Sequence, residues 1–416
     1  MKRILILLAA CLCLASCTSL HQDPAITLTA GTWRASIDRP DGIRIPFNFQ
    51  VVDTAKDTVA FLINGKERMK VDSIRFYKDS VQIVLPFFDA EFRAILLGDG
   101  TIQGDYIHHL GKTNIRIPFH AMPGQTGRFD PVNAPLGNVS GRWAVHFAST
   151  NGQDAYFAVG EFLQKGDQVT GTFLTSGGDD RYLEGILDGD SLKLSTFDGS
   201  HAYLFTARLL DSTHLSGGQL FSGKSFKENW SAIKDDTAHL PDPFSITGVK
   251  PGQNHLSFSF PDLSGKMVSL LDSQFHNKVV IIQIMGSWCP NCMDETAFLS
   301  NYYRKNRNRG VEIIGLAYER TADFKTSRNS VLAFQRRFQV GYPLLITGVT
   351  DSDTLNMEKT LPQLTHFYAF PTTLFLDRKG NIQKIETGFS GPGTGSHYQN
   401  FKIRFNQIVN KLLTEN

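Results

Sequence analysis

The sequence KVVIIQIMGSWCPNCMDE, residues 278–295, joins an apolar run to two cysteines that stand two residues apart. The run has the length and the β-branched composition of a buried strand, and a helix is predicted to follow it over residues 291–308, ended by Gly310. Such a pair of cysteines can bind a metal, form a structural disulfide or carry out redox chemistry. On the motif alone, all three interpretations remain open.

The N-terminus reduces the number of cysteines that can act as thiols. A short basic start precedes thirteen uncharged, mostly apolar residues, 4–16, which suit a secretory signal core and are too few to span a bilayer. LASC at residues 14–17 resembles the lipobox of bacterial lipoproteins, which implies that Cys17 is lipidated; a simple cleaved signal is the alternative. Cys289 and Cys292 then remain as the thiols of an exported protein in an oxidising compartment.

The surroundings of this pair favour redox chemistry. Structural zinc needs four ligands, and the chain has no second Cys-x-x-Cys and no histidines at zinc-finger spacing, so we expect no metal. So small a ring constrains the unfolded chain little, which argues against a structural disulfide. At a helix N-terminus, unpaired N–H groups and the helix dipole favour the thiolate of Cys289. We therefore expect Cys289 to attack and Cys292 to resolve the mixed disulfide, with Pro290 in the first helical turn.

GSWCPNC after the apolar run, together with FPTT at residues 370–373, resembles the thioredoxin superfamily. Within it, the similarity is to the TlpA-like and ResA-like exported thiol–disulfide oxidoreductases, and it covers about residues 255–416. The resemblance implies a C-terminal thioredoxin-like α/β domain that needs no cofactor. It also implies that Pro371 is cis and lies beside the disulfide, and that Phe370 lines the substrate groove.

Three further residues near the motif follow from the same comparison. Trp288 is expected to cover the active site and to line the groove with Pro290, although a core position would also explain a tryptophan. Glu295 matches a glutamate of ResA-like proteins, and on the helix it would face the sulfurs and tune their titration or accept a proton. A solvated carboxylate is the alternative. Gln283 stands where thioredoxin has a buried aspartate, so the usual proton acceptor is missing.

Residues 25–232 have the pattern of antiparallel β structure, in which short runs of Val, Ile, Phe and Thr alternate with polar residues. The region repeats itself: GTWRASI at Gly31 has a counterpart in GRWAVHF at Gly141, and two further pairs of segments keep nearly the same offset. Asn64-Gly65 is a strong hairpin signal. Two repeated β units are predicted as barrels or a sandwich, because such meanders must cover their edges.

The chain of 416 residues, with 41% hydrophobic and 20% charged residues, has the composition of a globular protein with several domains. Its formal charge of +2 falls to zero without Lys2 and Arg3, so we expect no binding to nucleic acid and no membrane attachment by charge. The predicted division is a signal peptide 1–16, a lipid-anchored tether 17–27, β units 28–125 and 137–234, a linker 235–252 and a thioredoxin-like domain 253–416.

The predicted function is that of a membrane-anchored thiol–disulfide oxidoreductase. It would exchange disulfides with cysteine-containing protein substrates and with an unidentified redox partner, and the resemblance favours the reducing direction. The protein is expected to face the periplasm, with the cell surface as an alternative, and the sequence indicates no oligomeric state. A thiol peroxidase is disfavoured because Ile282 and Gly286 replace the residues that peroxiredoxins require. The remaining alternative is an envelope scaffold whose β region binds a ligand.

Overall fold

The computed structural model describes residues 27–54, 57–71, 73–85, 90–110, 113–366 and 369–415. They form two nine-stranded antiparallel sheets, followed by an α/β domain around a five-stranded sheet. The predicted fold class, an all-β N-terminal region and a C-terminal thioredoxin-like domain, is confirmed. The predicted signal peptide and Cys17 lie outside the described residues.

The first sheet is an open half-barrel. Its strands are β1 Gly31–Asp38, β2 Arg44–Asp53, β3 Thr58–Asn64, β4 Glu67–Lys70, β5 Ser73–Tyr77, β6 Ser80–Val84, β7 Ala90–Leu96, β8 Ile102–Leu110 and β9 Thr113–Pro123. They are ordered β4-β3-β2-β1-β9-β8-β7-β6-β5, so that β4 and β5 are the two edges. The hairpin predicted at Asn64-Gly65 joins β3 to β4, with Gly65 at a φ of 55°.

The second sheet repeats this order and closes. Its strands are β10 Gly141–Ser149, β11 Tyr156–Lys165, β12 Gln168–Thr175, β13 Gly178–Asp179, β14 Leu183–Asp188, β15 Ser191–Phe197, β16 Ala202–Asp211, β17 His214–Ser222 and β18 Phe226–Lys234. The order is β11-β10-β18-β17-β16-β15-β14-β12-β13, and β11 also pairs with β12. This additional pairing turns the second sheet into a barrel, which satisfies the backbone groups of two edges that would otherwise be unpaired.

The repeat extends to side-chain detail. Trp33 and Trp143 are both fully buried, and each indole Nε1 donates to the carbonyl oxygen four residues earlier, at 2.8 and 2.9 Å. Gly31 and Gly141 precede them with φ angles of 122° and 117°, a region that L side chains rarely adopt. The same local geometry thus starts both β units.

The two β units share an apolar core. Phe197, at the end of β15, is fully buried, and its ring centroid lies 4.3 Å from that of Phe47 in the first unit. The guanidinium of Arg128 is buried between the two units. It donates to the Ser195 carbonyl oxygen at 2.6 Å and to Asn64 Oδ1 at 2.9 Å. The outer face of the barrel thereby covers apolar side chains of the half-barrel.

The C-terminal domain alternates strands and helices. Its strands are β19 Ser259–Pro261, β20 Met267–Ser269, β21 Val279–Met285, β22 Val311–Ala317, β23 Leu344–Ile346, β24 Thr372–Leu376 and β25 Ile382–Thr387. Its helices are α1 Pro290–Asn306, α2 Phe324–Phe338, α3 Thr354–Thr360 and α4 Ser396–Thr414. The main sheet has the order β23-β22-β21-β24-β25, in which β21, β22 and β23 are parallel and the other two strands antiparallel to their neighbours.

The apolar run of the motif forms the central strand, β21, and all seven of its residues are buried. The helix after it ends at Asn306 rather than at the predicted residue 308, because the chain tightens into a 3-10 turn, Arg307–Arg309. Gly310 then ends the turn with a φ of 93°. Neither β23 nor α3 was predicted, since three and seven residues are too short to show a hydrophobic period.

The stretch predicted as a linker packs against the C-terminal domain. The Thr387 N–H donates to the Pro243 carbonyl oxygen at 3.0 Å, and the hydroxyls of Thr387 and Thr247 are 2.9 Å apart. These bonds tie residues 235–252 to the end of β25. Among the described residues, no helix has the length and apolarity needed to cross a membrane.

Candidate active site

Cys289 and Cys292 form a disulfide at the N-terminus of α1. Cys289 is the N-cap residue in extended conformation, and its sulfur accepts the Cys292 N–H at 3.2 Å. Pro290 is the first helical residue, as predicted. Both sulfurs are therefore close to the unpaired N–H groups and positive dipole end of the helix, which stabilise a thiolate at Cys289 after reduction.

Two aromatic side chains lie beside the disulfide, Trp288 from the connection between β21 and α1 and Phe370 from the turn before β24. Phe370 precedes Pro371 through a cis peptide bond, and its carbonyl oxygen lies 3.4 Å from Cys289 Sγ. Trp288 is half-buried and meets the Phe370 ring edge-on at 5.4 Å, while its Nε1 donates to the Tyr318 carbonyl oxygen at 2.9 Å. The predicted groove residues are thus brought together around Cys289.

Glu295 lies beneath the disulfide, in the interior of the domain. It is 1% exposed, so the alternative of a solvated helix carboxylate is wrong. Thr373 Oγ1 donates to one carboxylate oxygen at 2.7 Å, and Gln283 Nε2 donates to the other at 2.8 Å. Burial raises the pKa of Glu295 to about 7, although these two hydrogen bonds favour the charged form. A carboxyl group that titrates near neutral pH therefore lies in the core next to the redox helix.

Gln283 connects this carboxyl group to the resolving cysteine. Its amide nitrogen is also 3.4 Å from the Cys292 carbonyl oxygen, and its amide oxygen accepts the Thr296 hydroxyl at 2.9 Å. The sequence correctly indicated that the central strand carries no buried acid. The structure shows that the acid comes instead from α1, through Glu295, and that Gln283 orients it.

Glu319 is a buried residue of the site that sequence reasoning missed. Its two carboxylate oxygens accept the Ser287 N–H at 2.8 Å and the Ser287 hydroxyl at 2.6 Å. This pairing fixes the turn immediately before Trp288. A signal was available, because Glu319 follows β22, which is parallel to β21, and the carboxyl ends of adjacent parallel strands meet at one edge.

A second missed feature comes from the β region. Arg181, in the second β unit, donates to Asp294 Oδ2 at 2.6 Å and to the Pro290 carbonyl oxygen at 3.4 Å. It also pairs with Glu67 of the first β unit. No sequence motif indicated this contact, since Arg181 lies more than a hundred residues from the helix it touches.

Within the described parts of the chain, no group of three or more His, Cys, Asp or Glu residues is placed to bind a metal.

Comparison with known proteins agrees with this geometry. The Redoxin family model matches residues 250–400. ResA of Bacillus subtilis, a thiol-disulfide oxidoreductase, is 26% identical over 140 residues, which are 34% of this chain and 69% of ResA. The thioredoxin-like protein YneN of the same organism is 26% identical over 141 residues, 34% of this chain and 74% of YneN.

A solved structure of a putative protein disulfide isomerase from Bacteroides thetaiotaomicron has 24% identity and a TM-score of 0.31, covering 41% of this chain and 93% of its own. The sequence matches confirm the predicted resemblance. The C-terminal region of this chain is a Redoxin domain, homologous to the thiol–disulfide oxidoreductase ResA and to the thioredoxin-like protein YneN.

Proposed function

We propose that this protein is a membrane-anchored enzyme that exchanges disulfides with cysteine-containing proteins, in the reducing direction, through Cys289 and Cys292. The observation that carries the proposal is the position of Cys289, whose sulfur is the N-cap of α1 and accepts the Cys292 N–H at 3.2 Å. Homology to ResA supports the reaction type. The reducing direction rests on the resemblance to that group of proteins.

In the first step, the Cys289 thiolate attacks one sulfur of a substrate disulfide. The substrate S–S bond breaks, a bond forms between Cys289 and the attacked sulfur, and the other substrate sulfur leaves as a thiolate that takes a proton. The helix N-terminus lowers the cost of the attacking thiolate. Trp288, Pro290, Phe370 and Pro371 are proposed to line the groove in which the substrate chain lies.

In the second step, Cys292 loses its proton and attacks the Cys289 sulfur. The mixed disulfide breaks, the second substrate sulfur leaves as a thiolate, and the enzyme is left with the Cys289–Cys292 disulfide. Two electrons have moved from the enzyme dithiol to the substrate. A redox partner of the dithiol class then has to supply two electrons to reduce the enzyme again. We propose Glu295 as the proton acceptor for Cys292, since its pKa of about 7 leaves a large carboxylate fraction at neutral pH.

Reduction of insulin disulfides by dithiothreitol tests the proposal. Wild-type protein should accelerate precipitation of the insulin chains, and Cys289→Ser should not. A reduction potential of the Cys289–Cys292 pair in the range of thioredoxin, about −270 mV, would support the reducing direction. A value near about −120 mV, that of a strong disulfide-forming oxidant, would reverse it.

We further propose that Cys17 carries the lipid that attaches the protein to the membrane and that the chain faces the periplasm. Export and membrane association of this kind suit a reductase that meets disulfides outside the cytoplasm. We also propose that the exported chain folds as two β units, residues 28–125 and 137–234, and a thioredoxin-like domain, residues 253–416. Fractionation of cells that produce wild-type protein or Cys17→Ser tests the anchor, because the variant should move from the membrane to the aqueous fraction.

A further inference from the structure

Three loops of the C-terminal domain meet around the disulfide. They are the start of α1 at residues 290–291, the turn at residues 369–371 and the loop at residues 388–391 after β25. The carbonyl oxygen of Phe370 in the turn lies 3.4 Å from Cys289 Sγ. The Gly388 N–H donates to the Pro371 carbonyl oxygen at 2.9 Å, which joins the 388–391 loop to the turn. A substrate chain that reaches Cys289 therefore has to lie across these loops.

Residues 176–181 of the second β unit, which we call the cap segment, contact all three loops. With its amide oriented to match the backbone of Asp179, the side chain of Asn291 accepts the Asp179 N–H at 3.1 Å and donates to its carbonyl oxygen at 3.3 Å. The carboxylate of Asp179 accepts the Gly391 N–H at 2.7 Å. A Cβ added to Gly177 would lie 3.3 Å from the Cβ of Ala369. The cap segment thus occupies one side of the groove.

Glycines on both sides permit this close approach. A Cβ on Gly178, in the cap segment, would lie 1.8 Å from Nδ2 of Asn291. On the opposite surface, a Cβ on Gly388 would lie 2.6 Å from the carbonyl oxygen of Ser176. Both glycines have positive φ angles, 149° and 79°. The cap segment therefore lies close against these loops, through the backbone at Gly388 and through the side chain of Asn291 at Gly178.

Arg181 anchors the end of the cap segment. Its guanidinium is largely buried and donates to Asp294 Oδ2 at 2.6 Å, on the outer face of α1. It also pairs with Glu67, so that one side chain links the two β units to the redox helix. A buried cation is costly to separate from its partners, and this holds the cap segment in place.

A cavity lies between α1 and the β region, beside Arg181. This cavity of about 300 Å³ adjoins Pro290 and Met293 and is bounded on the other side by Arg181. This volume is at the lower limit for a small-ligand site. Cys289 itself is 4% exposed.

We propose that the cap segment determines the substrate specificity of the redox site. In the closed arrangement, small or narrow disulfides reach Cys289, whereas a disulfide within a protein requires the cap segment to move off Asn291 and the 388–391 loop. This selection rests on the proposed thiol–disulfide exchange, but the position of the cap segment can be measured independently of activity. Arg181 and Gly178 are positioning residues in this scheme, because neither touches the sulfurs.

The experiment compares the alkylation of reduced Cys289 by N-ethylmaleimide and by a polyethylene-glycol maleimide, with the modified residue identified by mass spectrometry. Gly178→Ala should displace the cap segment from Asn291, because the added Cβ would lie 1.8 Å from Asn291 Nδ2 and 2.9 Å from its Cγ, and because a φ of 149° is one that L side chains rarely adopt. Gly152→Ala is the matched control: Gly152 has a φ of 76° in the same β unit, and nothing lies within 4 Å of the added Cβ. Relative to the control, Gly178→Ala should react about tenfold faster with the polymer reagent and less than about twofold faster with the small one.

Equal polymer-reagent rates in Gly178→Ala and Gly152→Ala would overturn the proposal. Should Gly178→Ala fail to fold, judged by near-UV circular dichroism, Glu67→Gln decides instead, because it weakens the Arg181 anchor while leaving the C-terminal domain unchanged. Glu67→Gln should raise the rate of alkylation by the polymer reagent about threefold, a smaller increase than in Gly178→Ala. An unchanged rate would contradict the proposed role of the cap segment. If alkylation shows that the cap segment opens but neither wild type nor any variant reduces insulin, the proposed function is wrong, whereas the proposed position of the cap segment over Cys289 is supported.

Discussion

The C-terminal domain and the β region contribute to the site in different ways. The proposed chemistry comes from a short stretch, Trp288 to Glu295, and from the turn before β24, all within one domain. Access to that chemistry depends on Glu67 and Arg181, from two β units that lie far away in the sequence. Reactivity can be local because a strand, a turn and a helix start already create a thiolate site. Access is a property of surfaces, and surfaces meet only in the folded chain.

Two adjacent carboxylates on α1 show the same contrast. Glu295 faces the sheet of its own domain and accepts hydrogen bonds from the neutral groups of Gln283 and Thr373. Asp294 faces the β region and pairs with the cation of Arg181. One residue along the helix therefore separates a group suited to proton transfer from a group suited to holding two parts of the molecule together.

The largest expected effect is the loss of exchange in Cys289→Ser, by about a thousandfold or more with either insulin or a small disulfide, because the attacking sulfur is gone. Cys292→Ser should instead accumulate a mixed disulfide with the substrate, visible on a non-reducing gel. Equal loss for both kinds of substrate would place the effect in the chemistry. Residual activity of Cys289→Ser above the rate of dithiothreitol alone would contradict the assignment.

The shared core of the β units should show the next largest effect. Phe197→Ala removes a fully buried ring that packs at 4.3 Å against Phe47. It should lower the free energy of unfolding of the β region by about 3–5 kcal/mol in urea denaturation. Phe226→Ala, at a side chain 53% exposed, is the control and should change it by less than about 0.5 kcal/mol. Equal midpoints for the two variants would show that the two units do not share a core.

Glu295→Gln should change how stability and rate depend on pH. The pKa of Glu295 is raised to about 7, so the folded state binds more protons than the unfolded state between the ordinary glutamate pKa and pH 7. Wild-type stability from this group is therefore present at low pH and is lost as pH rises to about 7, by on the order of 3 kcal/mol.

The measurement is urea unfolding of wild type and Glu295→Gln at about pH 5 and about pH 8. The free energy of unfolding of the variant, relative to that of wild type, should be higher at about pH 8 than at about pH 5. Resolution of the mixed disulfide should also lose its dependence on a group with a pKa of about 7. Parallel pH profiles for the two proteins would rule out Glu295 as the titrating group.

Asp294→Asn should have the smallest effect on exchange and should act on it through access alone. The amide oxygen still accepts from Arg181, but a neutral acceptor replaces a charged one, at a cost of about 0.7 kcal/mol in cap closure. The ratio of the insulin rate to the rate with a small disulfide should rise about threefold. Burial raises the pKa of Asp294 to about 7 as well, so the stability of this variant should also differ from wild type in its pH dependence. The pH profile of mixed-disulfide resolution should nevertheless match that of wild type, in contrast to Glu295→Gln, because Asp294 faces the β region and not Gln283. A change in the pH profile would show that the two faces of α1 are not independent.

Much of the fold was predictable because it follows from local patterns. The seven buried residues of β21, the proline at the start of α1 and the glycine at residue 310 each have a local cause that can be read from neighbouring residues. The repeat that relates Trp33 to Trp143 was equally visible. Barrels were among the predicted architectures, but which unit closes was not predictable. The second unit closes because β11 pairs with β12, whereas β4 and β5 of the first unit remain edges.

By itself, the sequence determined the redox pair and its place at a helix start, because Cys-x-x-Cys after an apolar strand needs no distant partner to define its geometry. The class of the C-terminal domain came from the family resemblance of GSWCPNC together with FPTT. The tertiary structure decided the rest of the site. It buried Glu295 between Gln283 and Thr373, and with that burial moved its titration to near neutral pH. It also brought residues 176–181 onto the groove. Desolvation and contact between distant segments depend on how whole elements pack, and residue spacing along the chain does not encode them.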